Sequence, residues 1–84
     1  MEREIFRNEN GFITEDEENG YIKVMVKGVR NFDGVPDTYY NETRMNYKTG
    51  LFQSWRATGY NADYYDWCKD RNGVISHGKR MLEV

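Results

Sequence analysis

Asn-Gly pairs stand at three places in the chain, 10–11, 19–20 and 72–73. Between apolar runs this dipeptide is the strongest short-range hairpin signal, because both central residues of a type I′ turn need positive φ. The first two pairs separate three runs, at residues 4–7, 12–14 and 21–29. In the third run Ile22, Val24 and Val26 alternate with Lys23, Met25 and Lys27, the pattern of a strand with one buried face. An N-terminal antiparallel meander is therefore expected.

Residues 31–37, which carry Asp33-Gly34 and the single proline Pro36, read as a loop. Strand character resumes over 38–48, rich in Tyr and Thr, and Lys48-Thr49-Gly50 reads as a three-residue hairpin loop with Gly50 left-handed. With Tyr47 opposite Leu51, the returning strand sets Met45 against Gln53 and Thr43 against Trp55 on a core face. The opposite face of that hairpin then carries Tyr40, Arg44, Lys48, Phe52 and Arg56. One helix is predicted over 62–71, with Asn61 as cap, Gly73 as stop, and Tyr64, Trp67 and Cys68 on its inner face. The tail beyond it reads as one more strand or a bend at Gly78. These elements define an α+β domain spanning residues 1–84, with four or five antiparallel strands and one short helix on one face.

Such a domain needs a core, and Leu, Ile, Val and Phe together fill only 16 of 84 positions. That fraction lies at the edge of what folds at all. Thirteen aromatic residues and a net charge of only −2 offset it. Part of the aromatic excess is accordingly structural. Charge is unevenly distributed, −5 over residues 1–42 and +3 over 43–84. A basic face toward an anionic partner is compatible with that split, and so is an acidic loop that is simply solvated.

Several kinds of chemistry are excluded by spacing. Residues 73–80 nearly spell a phosphate-binding loop, but Arg80 stands where a hydroxyl must hold Mg²⁺. The run from Glu15 to Gly20 imitates the start of a calcium loop, yet its twelfth position is Val26 rather than a bidentate Glu. Cys68 and His77 are the only soft ligands and cannot close a zinc site, so neither metal nor cofactor is expected. A thiol turned inward on a helix is not a nucleophile, and no pair of carboxylates is singled out. A small hydrolase would require Glu42, Asp63 or Asp66 beside His77. The charged start of the chain, a lone cysteine and the absence of a long apolar run predict a cytoplasmic protein without membrane association.

What remains is the aromatic and cationic stretch from Tyr39 to Arg71. Tyr, Trp and Arg are favoured at protein interfaces, and the same mixture supplies stacking platforms and phosphate contacts for single-stranded RNA. The favoured reading is a small non-enzymatic binding protein that modulates or inhibits a macromolecular partner, of the antitoxin-like or phage-encoded regulator kind. It would use Tyr40, Arg44, Lys48, Phe52 and Arg56. The alternative is a single-stranded RNA-binding module using the same face; Glu15 to Glu18 imitating phosphates is a variant of the first.

Overall fold

The computed structural model describes residues 1–56 and 59–83, and of residues 55, 56, 59 and 60 the backbone alone. Six strands, β1 (Glu2–Asn8), β2 (Gly11–Asp16), β3 (Tyr21–Phe32), β4 (Val35–Asn46), β5 (Leu51–Arg56) and β6 (Gly59–Tyr64), form one antiparallel sheet in sequence order. A single 3-10 turn (Asp66–Lys69) leads into helix α1 (Arg71–Leu82), which lies across one face. The α+β class is as expected, with six strands rather than four or five.

The first two Asn-Gly pairs lie where hairpins reverse. Glu9 and Asn10 form the turn between the facing pair Asn8 and Gly11, and Gly20, at φ +80°, closes the turn between Asp16 and Tyr21. β3 alternates as read: Ile22 and Val24 are fully buried, and with Ile13, Met45, Cys68, Val74 and Leu82 they make the core. A bulge between Glu4 and Phe6 lets the neighbouring side chains Ile5 and Phe6 both pack against it.

Three sequence expectations fail, each for a local reason. The helix predicted over 62–71 is instead β6 and the 3-10 turn, and the true helix begins where that one was to end. The third Asn-Gly pair, whose Gly73 was the expected stop, sits inside its first turn. With Asn72, Gly73 and Gly78, α1 has poor intrinsic propensity, so tertiary packing must hold it. Val74, Gly78 and Leu82, one turn apart, face the sheet and are buried. At Gly78 the backbone comes close: a Cβ there would lie 2.8 Å from Cγ2 of Val24 and 3.3 Å from Cδ1 of Ile13.

The second failure is the register of the β4–β5 hairpin. Met45 faces Phe52, Arg44 faces Gln53 and Thr43 faces Ser54, one residue away from the expected pairing. Asn46 is responsible: its buried Oδ1 accepts the amides of Lys48 and Thr49, while its carbonyl accepts that of Gly50. The loop thereby takes four residues instead of three, although Gly50 is left-handed (φ +83°) as expected. The Asn46 amide group also donates to the Asn19 carbonyl, and the Tyr47 amide to that of Gly20, which locks this loop to the β2–β3 turn. Because side chains alternate, the one-residue slip moves the side chains of residues 51–54 to the opposite face.

Third, residues 31–37 are not a loop. Asp33 (φ +51°) and Gly34 (φ +79°) form a two-residue turn between the facing residues Phe32 and Val35, so β3 and β4 each run for 12 residues. Pairing of β2 with β3 ends at Val26 and that of β5 with β4 at Thr43. The distal half of the β3–β4 hairpin projects past the sheet as an arm, and the molecule measures 43 × 27 × 25 Å.

Two groups fasten α1 to the sheet. At its N-terminal end Arg71 grips Glu15, a carboxylate with no solvent exposure near the C-terminal end of β2, through Nε and Nη2 at 2.7 Å each. Tyr47 donates its hydroxyl to the same carboxylate at 2.9 Å, and Arg3 approaches at 3.5 Å. At the other end the side-chain amides of Asn8 and Asn10 both donate to the Leu82 carbonyl, at 3.1 and 2.7 Å, which satisfies a helix terminus that lacks a partner of its own.

The Arg71 hydrogen bonds, helped by Tyr47 and Arg3, hold the Glu15 carboxyl down to about 2 against burial, which pushes it up. Folded Glu15 therefore binds a proton less readily than in the unfolded chain, and its stabilisation is complete above about pH 4.5 and lost as pH falls toward 2. That shift is worth on the order of 3 kcal/mol. Urea denaturation of Glu15→Gln should show a loss of about that size at pH 7 and a flatter stability profile than wild type between pH 4.5 and 2. The glycines give a second contrast. Gly78→Ala should cost roughly 1–3 kcal/mol despite its higher helix propensity, whereas Gly73→Ala, where a Cβ meets only the movable Asp70 carboxylate, should gain about 0.5–1 kcal/mol.

Candidate interaction surfaces

The sequence-predicted site does not assemble as one face. Tyr40 and Arg44 do share the uncovered side of the sheet, where the Tyr40 ring meets Phe12 edge-on at 5.4 Å. Arg44 bonds Glu42 through Nε at 2.7 Å on that same side. Lys48 lies in the β4–β5 loop, its ammonium on the Glu18 carbonyl at 2.6 Å. Phe52, moved by the register slip, is on the helix side and packs against the core. The Arg56 side chain lies outside the described residues.

Phe52 anchors an aromatic cluster that closes the corner between β5, the 3-10 turn and α1. Tyr65 and His77 meet it edge-on at 6.1 and 6.0 Å, and Trp67 lies at 5.9 Å. Trp67 is stacked on Tyr65 at 5.7 Å and leans on His77 at 5.0 Å. Tyr64 and Trp67 are thus not the buried helix face foreseen: they are 71% and 44% exposed. Burial, with Arg80 nearby, lowers the His77 pKa. Glu42, one candidate partner for a catalytic His77, is on the far side of the sheet from Phe52. Cys68 is buried as expected, donates to the Leu51 carbonyl at 3.4 Å, and has its pKa raised by burial. The acidic stretch is divided: Glu15 belongs to the core network, Asp16 bonds Asn19, and Glu17 and Glu18 remain exposed.

The feature that sequence reading missed is the arm. Val29, Phe32 and Val35 are 61%, 65% and 64% exposed at its distal end. They lie on both of its faces, since Phe32 and Val35 are directly opposed and Val29 alternates to the other side. Asp33-Gly34 between two apolar residues is itself a hairpin signature, and Pro36 one residue further on masked it. The arm is ordered by its own contacts. Arg30 bonds Asp37 across the strands at 3.2 Å and lies 5.1 Å from the Tyr39 ring centroid and 5.8 Å from that of Phe32. Tyr39 in turn covers Gly28, where a Cβ would come within 2.4 Å of its ring.

On the uncovered sheet face three cations are neutralised locally, Arg7 by Glu4, Lys23 by Glu2 and Arg44 by Glu42, while Lys27 makes no ion pair among the described residues. The Arg7 guanidinium also covers one face of the Phe12 ring, 4.6 Å from its centroid. Among the described residues there is no pocket, no group of three or more His, Cys, Asp and Glu side chains placed to hold a metal, and no helix long and apolar enough to cross a membrane.

Fold and surfaces together define an α+β chain, a six-stranded antiparallel meander backed by one C-terminal helix and extended by a two-stranded arm. Compared with protein-family models, curated proteins and solved structures, it matches none. Local ordering of the arm is open to a direct check. Tyr39→Ala should speed amide exchange of residues 28–32 while shifting global stability by no more than about 1 kcal/mol, read by hydrogen exchange and denaturation on the same sample.

Proposed function

We propose that the protein is a small non-enzymatic binding protein that attaches to a partner protein through the β3–β4 arm and modulates or blocks that partner. The observation that carries this reading is the exposure of Val29, Phe32 and Val35 on both faces of a projecting hairpin. Full burial of such side chains is worth roughly 1.5–3 kcal/mol each, a gain open to the arm only if something encloses it. Asp33 at the tip and the Arg30–Asp37 pair behind it oppose insertion into lipid and suit the mixed surface of a protein cleft.

The alternative, a single-stranded RNA platform, draws on Tyr40 and Phe12 lying together on the uncovered face. Against it stand the carboxylates already paired with Arg7, Lys23 and Arg44, which leave that face Lys27 alone, among the described residues, to offer a phosphate backbone.

Affinity purification with and without nuclease, using wild type and the double variant Phe32→Asp/Val35→Asp, separates the two readings. Both side chains are exposed, so the variant should melt close to wild type. The expected result is one protein recovered with wild type regardless of nuclease and reduced at least about tenfold with the variant. Recovery that disappears with nuclease, or that the variant retains, overturns the reading.

A further inference from the structure

Side chains at the tip explain why the arm should be enclosed, and its backbone indicates how. Asp33 and Gly34 both have positive φ, the signature of a type I′ turn, in which the closing pair Phe32 and Val35 exchanges both ladder bonds. Alternation then points the bonding groups of Phe32, Arg30 and Gly28 toward β4, and those of Asn31, Val29 and Lys27 away from it. Lys27 shows the phase directly, because its amide donates to the Asn10 carbonyl at 2.8 Å on the β2 side. Beyond that bond β2 has ended, and no described strand lies beside Val29 and Asn31.

The two edges of the arm differ. Along β4, Pro36 has no N–H to offer an incoming strand, a common guard against unwanted pairing. Along β3 there is neither proline nor bulge between Lys27 and Phe32. The charge at its base is distinctive as well. Every other lysine or arginine of β1 to β4 is paired with a carboxylate, whereas Lys27, exposed and facing Tyr40, makes no ion pair among the described residues. A second copy of the chain is a poor occupant, since twofold antiparallel pairing of β3 edges centred on Val29 sets Lys27 opposite Asn31 and offers its ammonium no carboxylate.

We propose that the β3 edge of the arm, at Val29 and Asn31, is a strand-addition site for an extended segment of the partner protein that places an acidic residue beside Lys27 and apolar residues beside Val29 and Phe32. Backbone bonds to Val29 and Asn31 supply the register, and the flanking side chains supply the preference. This rests on the arm being the docking element and adds the mode of docking and the chemistry of what docks.

The probe is a capped hexapeptide, Val-Thr-Thr-Val-Thr-Glu, added to the intact protein at up to about 2 mM and followed by amide chemical shifts and exchange rates. Saturable shifts centred on Val29 and Asn31, with slowed exchange of those two amides, are expected. Three controls bear on the mechanism. The same peptide N-methylated on alternate residues should bind at least about tenfold more weakly, as should the original peptide to Asn31→Pro, whose lost N–H points outward and takes no bond from the arm. Replacing the peptide Glu by Lys should weaken binding about threefold or more to wild type and have little effect with Lys27→Ala.

Absence of shifts at Val29 and Asn31, or unchanged binding of the N-methylated peptide or by Asn31→Pro, overturns strand addition. If strand addition fails while Phe32→Asp/Val35→Asp still loses the purified partner, the arm docks by its side chains alone. If that variant keeps the partner, the docking reading itself falls.

Discussion

Glu15 points from the C-terminal end of β2 into the face that the helix covers, and with no exposure to solvent its charge has to be met there. Arg71 meets it with two hydrogen bonds, from a position that the helix dipole disfavours, since a cation in the first turn faces the positive end of the peptide dipoles. The carboxylate, not the helix, thus accounts for where Arg71 stands. Tyr47 joins the same carboxylate from the β4–β5 loop, so one buried charge ties β2, that loop and the start of α1 into one arrangement. Asn8 and Asn10 close the far end. A helix with Gly73 and Gly78 in it would not persist alone; fixed at both ends, it can lay Gly78 against Val24 and complete the core.

The dependence runs through turns more than through strands. Asn46 sets the β4–β5 loop, holds it to the β2–β3 turn through Asn19, and thereby decides which face Phe52 occupies. Once Phe52 is on the helix side, Tyr65, Trp67 and His77 have a ring to close over, and the corner beyond β5 is sealed by aromatics instead of aliphatics. A chain with so few Leu, Ile and Val reaches a closed core in this way.

Sequence patterning was informative wherever one residue's backbone preference decided the outcome. Gly20 and Gly50 adopt the left-handed geometry their neighbours require, and Ile22 and Val24 alternate into the core. It failed where side-chain contacts decided. Nothing around residue 52 reveals that Asn46 lengthens the preceding loop by one residue, yet that step divided the predicted site, leaving Tyr40 and Arg44 on one face and sending Phe52 to the other. The helix was misplaced because capping and dipole cues favour 62–71, while Glu15, Asn8 and Asn10, all more than 55 positions away from the residues they bind, favour 71–82. The arm was hidden by Pro36, normally a sign of a loop, which a strand tolerates where its other side is an edge.

The arm stands in contrast to the body it extends from. In the body, polar groups are committed: buried side-chain nitrogens and oxygens among the described residues all have partners, and the sheet cations meet carboxylates. On the arm, apolar groups and one backbone edge are left uncommitted, a combination that ordinarily invites aggregation. The local safeguards are specific. Asp33 charges the tip, Arg30 and Asp37 neutralise each other across the strands while Arg30 lies over the neighbouring rings, and Pro36 blocks one edge. Guarding one edge and leaving the other with a lysine at its base limits what can pair there without forbidding it. That asymmetry separates a hairpin that merely avoids sticking from one able to choose what it pairs with, and it follows from Pro36 and Lys27 standing on opposite strands of the same ladder.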